Sequence, residues 1–97
     1  MKVTAEKNNH ICVLIVEGDV DTLTAPELDQ AVSLAVPDCK KLVLDMGGVE
    51  YISSAGIRAI VKARQQMGGE NFALRSVSPP VLDVLRLTGF LKIITVE

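Results

Sequence analysis

Two adjacent hydroxyls, Ser53 and Ser54, are followed by the small residues Ala55 and Gly56 and then by Ile57 and Arg58. From Ile57 onward, Ile60, Val61, Arg64 and Met67 recur at helical spacing, so the hydroxyls fall where a helix should begin. The first turn of a helix carries unpaired backbone N–H groups and a positive partial charge. A phosphoryl group attached there is stabilised by the fold rather than opposed by it. Small neighbours leave such a hydroxyl open to a kinase. The same residues also suit a purely structural job, because serine is a preferred N-cap. The two roles are compatible, since a capping hydroxyl is also a surface hydroxyl.

Other chemistry lacks its raw material. There is no Walker A loop, no GxGxxG after a strand, no HExxH and no GxSxG elbow. A serine or cysteine nucleophile needs a base, and the sole histidine, His10, falls at a predicted hairpin turn. Asp19 and Asp21 lie close together, but no further carboxylates follow at calcium-loop spacing, so they read as a solvated loop. Cys12 and Cys39 are far apart in sequence, without a CxxC, and read as ordinary thiols of a reducing compartment. No catalytic residue, metal site or cofactor is expected.

Composition narrows the partners. Ten basic and twelve acidic residues are scattered along 97 positions, for a net charge of −2. That gives no basic footprint for nucleic acid and no polybasic arm for anionic lipid. The apolar run Ile11 to Val16 is far too short to cross a bilayer, and no apolar signal segment opens the chain. Direct membrane insertion is therefore not expected, and the expected location is the cytoplasm. The apolar fraction of 48% is enough for one compact core over residues 1–97.

The elements that must position Ser53 and Ser54 follow in a regular order. Val3-Thr4-Ala5 alternates like a half-buried strand, Asn8-Asn9 marks a turn, and His10 to Glu17 reads as a better-buried strand. Thr24 and Glu27 have the spacing of a capping box, Pro26 suits the first turn, and Leu23 and Leu28 occupy hydrophobic-staple positions. Leu28, Ala31, Val32 and Ala35 then carry a helix as far as Pro37. Leu42-Val43-Leu44 reads as a strand stopping at Asp45, with Gly47-Gly48 breaking the chain. After the Ser54 helix, which Gly68-Gly69 ends, Phe72-Ala73-Leu74 is a fourth strand. Ser78-Pro79 starts a third helix with Val81, Leu82, Leu85 and Leu87 as its stripe, and Ile93, Ile94 and Val96 make a last strand. The order β-β-α-β-α-β-α-β predicts an α/β domain with one mixed, mostly parallel sheet and helices packed on it.

The stretch Lys41 to Ile60 resembles the signature region of STAS domains, the fold of bacterial anti-sigma factor antagonists. There an aliphatic strand ends in Asp, and a short loop leads to Asp-Ser-Ser/Thr-Gly-Leu at a helix start. This chain reads Ser53-Ser54-Ala55-Gly56-Ile57 in those places. Glu17-Gly18-Asp19-Val20-Asp21 through Leu28 resembles a second conserved stretch, and the element order matches end to end. The resemblance implies a phosphorylation-gated switch that sequesters an anti-sigma factor serine kinase and so releases a sigma factor. The modified residue then falls on Ser54, with Ser53 the alternative acceptor, and a phosphatase restores the hydroxyl. Asp19, Asp21, Ser53, Ser54, Gly56, Ile57 and Arg58 are the implied partner-binding residues. Ser53 replaces the family's Asp and Ala55 its second hydroxyl. The competing implication is a constitutive adaptor subunit of a lipid-transport ATPase or a stress-signalling complex, but the retained Ser54 favours the switch.

Overall fold

The computed structural model describes residues Met1 to Glu97. Strand β1 (Lys2–Asn8) turns at Asn9, which adopts a positive φ of 58°, into β2 (Ile11–Glu17). Helix α1 (Ala25–Ala35) leads to β3 (Lys41–Gly48), helix α2 (Ser54–Met67) to β4 (Phe72–Arg75), and helix α3 (Pro79–Leu87) follows. The sheet order is β1-β2-β3-β4, with β1 antiparallel to β2 and the other two pairings parallel. This is the mixed, mostly parallel sheet that the alternation of elements predicts.

Period-two alternation places the helices on one side. Leu14, Val16, Leu42, Leu44, Met46, Phe72 and Leu74 point to one face and join a single core with Leu28, Val32, Ile57, Ile60, Val81 and Leu85. The opposite face carries Val13, Ile15, Val43 and Ala73, crossed by the Asp45–Arg75 pair at 3.0 Å and the Lys41–Glu97 pair at 2.9 Å. Parallel strands joined by helical crossovers put their carboxyl ends at a common edge, where α/β sheets present their sites.

Several expectations are corrected. Strand β3 does not stop at Asp45 but runs on to Gly48, which pairs with Glu17 across a register shift. A Cβ on Gly48 would come within 2.9 Å of Glu17 Cγ, so the glycine permits a close strand approach rather than breaking the chain. The last strand is reduced to an isolated bridge between Val96 and Leu74, because the Ile94 N–H is already spent on Phe90 O at 3.0 Å in a preceding turn. Leu87 lies about 200° around α3 from Leu85 and is 87% exposed. The alternation of Val3-Thr4-Ala5 buries only Val3 in part, as befits an edge strand.

The start of α1 also differs. Thr24 is the N-cap by position, but its hydroxyl makes no cap bond. Its backbone is already helical (φ −97°, ψ −21°), so the Glu27 N–H bonds to the Thr24 carbonyl at 2.9 Å instead. The capping box is not formed. Neither is the staple, since the turn at Asp21–Thr24 swings Leu23 outward to 86% exposure while Leu28 is fully buried. Leu23→Ser should therefore change stability by less than ~0.5 kcal/mol, whereas Leu28→Ala should cost about 2–5 kcal/mol. Urea denaturation of the two variants checks the contrast. Equal losses would mean that Leu23 is packed after all.

Candidate functional site

Ser54 is the first residue of α2, and its side chain is exposed. The residue before it does the capping: the Gly56 N–H donates to Ser53 Oγ at 3.3 Å, with Ser53 in extended geometry. The Ile57 N–H reaches the Ser53 carbonyl at 2.9 Å, which closes the first turn. Division of labour between the two hydroxyls is thus visible in the backbone. Ser53 satisfies an orphan donor of the helix, while Ser54 faces solvent at the end that carries partial positive charge.

The loop that brings these serines to the surface is held from the side. The Val20 N–H donates to the Tyr51 carbonyl at 3.0 Å, and the Ser53 N–H donates to the Val20 carbonyl at 2.8 Å. Val20 and Ile52 form an isolated parallel bridge, extending the β2–β3 pairing beyond the strand ends. Gly18 adds a further link to Gly48 at 2.9 Å. Asp19 and Asp21 flank Val20, so the clasp holds both residues on the loop bonded to Ser53. Asp21 Oδ1 accepts the Leu23 and Thr24 N–H groups at 2.9 and 3.0 Å. The Thr24 hydroxyl closes the loop, accepting the Asp21 N–H at 2.9 Å and donating to the Asp19 carbonyl at 2.8 Å. The Thr24 N–H foremost, with the Leu23 N–H beside it, holds the Asp21 carboxyl below its usual range.

The expected partner-binding residues divide into two groups. Asp19, Asp21, Ser53, Ser54 and Arg58 are brought to one end of the molecule with their polar groups at or near the surface. Gly56 and Ile57 are not surface contacts. Ile57 is 5% exposed and belongs to the core. Gly56 is buried, and a Cβ there would lie 2.7 Å from Ile52 Cγ1, 2.8 Å from Val20 O and 2.9 Å from Val20 Cγ1. The space beside Ser54 that this glycine was expected to leave is filled by Val20 and Ile52.

Other surroundings escaped the sequence reading. Tyr51, 54% exposed, stands on the loop just before the serines, between the buried Val49 and Ile52. A groove of about 240 Å³ runs between α1 and α2, with Pro26 and Asp29 on one wall and Ala55, Arg58 and Lys62 on the other. It spans two helices about 30 residues apart, so no local motif announces it. Ser78, expected as a cap, donates its hydroxyl to the Val49 carbonyl at 2.7 Å and ties the loop after β3 to α3. Asp45, the residue at which the strand was expected to end, is bound to the Gly47 N–H at 3.0 Å and to Arg75, which together keep its carboxyl below the usual range. Burial and the adjacent Cys12 push the Cys39 thiol up to about 11, and a protonated thiol is a poor nucleophile. No cluster of three or more metal-ligating side chains occurs, and no helix is long and apolar enough to cross a membrane.

Gly56→Ala should cost about 1–3 kcal/mol, because the added methyl has backbone on one side and two branched side chains on the other. Thermal or urea unfolding measures it. An unchanged stability would show that the Val20 clasp yields freely.

Comparison with known proteins agrees with this geometry. BtrV of Bordetella bronchiseptica, named for anti-sigma factor antagonism, is 33% identical over 99% of this chain and 85% of its own length. The crystal structure of an anti-sigma factor antagonist from Mycobacterium paratuberculosis superposes with a TM-score of 0.89 at 28% identity, covering 99% of this chain and 84% of that one. The Bacillus antagonist SpoIIAA shares the fold in its unphosphorylated form (TM-score 0.80, 14% identity, 99% and 88% covered) and in its phosphorylated form (0.73, 13%, 99% and 91%). The model of the STAS domain matches residues 2–97, and the chain belongs to that family, among relatives named as anti-sigma factor antagonists.

Proposed function

We propose that this chain is a phosphorylation-gated anti-sigma factor antagonist, a cytoplasmic binding switch rather than an enzyme. Unphosphorylated, it sequesters an anti-sigma factor that is itself a serine kinase, and a sigma factor is released. The kinase modifies Ser54 and a phosphatase restores it. One observation carries this reading: Ser54 is an exposed hydroxyl at the first position of α2, while its neighbour Ser53 is committed to the cap. The names of the relatives supply the partner class.

The surroundings of Ser54 supply a physical basis for the gate. Asp19, Asp21 and Glu50 lie on the loops beside it, and a phosphate adds nearly two further negative charges. A partner surface fitted to a neutral hydroxyl would have to desolvate that dianion. A tenfold loss of affinity needs only ~1.4 kcal/mol, well within reach of such a cost. A phosphate on Ser53, by contrast, would have to compete with the Gly56 N–H for the oxygen that caps the helix.

Incubation with the cognate kinase and ATP should add one phosphate to the wild-type protein and none to Ser54→Ala. The phosphorylated form should bind the kinase at least about tenfold more weakly. Phosphopeptide mapping to Ser53 would overturn the residue assignment, and equal affinity of the two forms would overturn the gate.

A further inference from the structure

We infer that Arg58 is the cation that pairs with the phosphoryl group on Ser54, so that the modification both adds an anion and draws a positive charge out of the α1–α2 groove. This rests on Ser54 as the acceptor, the reading given above. Residues four apart on a helix are neighbours on its surface, and Ser54 and Arg58 lie within about 40° of one another around α2. Both are exposed. An anion placed N-terminal to its cation is the favourable orientation of such a pair.

Arg58 is also available. The ion pairs of this protein are Lys41–Glu97, Asp45–Arg75 and Asp83–Arg86. Arg58 belongs to none of them, and neither does Lys62, one turn further along the same wall of the groove. Asp29 faces both from α1, lining the same groove, yet makes no ion pair within it. Asp19, Asp21 and Glu50, on the loops joined through Val20, are anions and cannot compete with Arg58 for a phosphoryl group on Ser54. Arginine suits the task because its planar fork can present two donors to phosphate oxygens. The groove loses a cation at the same moment, and any acidic group that Arg58 engages in the unmodified state loses its partner.

The test uses the full chain carrying phosphoserine at position 54, installed during translation so that no kinase is needed. A phosphorus NMR titration reads the second ionisation of the phosphate, ordinarily near pH 6. Arg58→Gln should raise it by about 0.2–0.4 of a pH unit, the size expected of an exposed i,i+4 pair, and Arg58→Lys should restore most of the difference. The Arg58 Nε–H resonance should shift on phosphorylation. Because Arg58 is exposed, its replacement leaves the fold intact, which the amide spectrum of the unmodified variant verifies. A phosphate ionisation indifferent to Arg58→Gln, or an unmoved Nε–H resonance, would overturn the pairing. A kinase that ignores Ser54 would instead overturn the switch reading and leave this result standing.

Discussion

Val20 joins the loop after β2 to the loop after β3, and the site depends on that junction. Its N–H and carbonyl bond Tyr51 and Ser53 at 3.0 and 2.8 Å, and its side chain packs on Gly56 in the first turn of α2. Three backbone segments meet there: the end of β2, the loop after β3 and the start of α2. The bonds are peptide-to-peptide and leave buried polar groups satisfied without any side chain that could titrate. Contact this close is possible because position 56 has no Cβ. A residue at the head of a helix normally frays, but Ser54 sits next to a turn fixed on two sides and follows a capped residue. The hydroxyl is therefore exposed and well positioned at once.

Charge is distributed around that point in a way that gives a modification leverage. The clasp holds Asp19 and Asp21 on the loop bonded to Ser53, and helical spacing sets Arg58 and Lys62 along the α2 wall of the groove. In the unmodified protein these groups are largely solvated, and exposed charges in that condition contribute little to stability. At an interface the same groups are desolvated, and the sign and pairing of each begins to matter. A dianion added at Ser54 would change the field at a surface that lies over a core of Ile57, Ile60 and the apolar sheet face. The buried core and the surface proposed to switch are adjacent but separate.

Much of this was legible in the residues. The α2 start at Ser53-Ser54, the α3 start at Ser78-Pro79 and the core stripes of β2, α1 and α2 follow from period and turn chemistry. What was not legible has particular causes. Gly47-Gly48 reads as a break, but only the paired Glu17 reveals that glycine is what lets β3 continue. Thr24 and Glu27 have the right spacing for a capping box, yet the Asp21 carboxylate takes the nearby N–H groups and the Thr24 hydroxyl turns back to Asp19. Ile57 looked like a contact residue because it belongs to the stretch that resembles the STAS signature; helical spacing sets it about 60° around α2 from Ser54, and that direction faces the core. The groove depends on how α1 and α2 pack, which no local pattern encodes.

The central claim is that phosphorylation acts on the surface around Ser54 while the fold beneath stays as it is. Amide chemical shifts of the unmodified and Ser54-phosphorylated protein test it directly. Changes confined to the Asp19–Thr24 loop, the loop of Tyr51 and the first two turns of α2 are the predicted result. Shifts spreading through Leu14, Leu44 and Leu74 in the sheet would contradict it, because they would mean that the phosphate is felt by repacking the core.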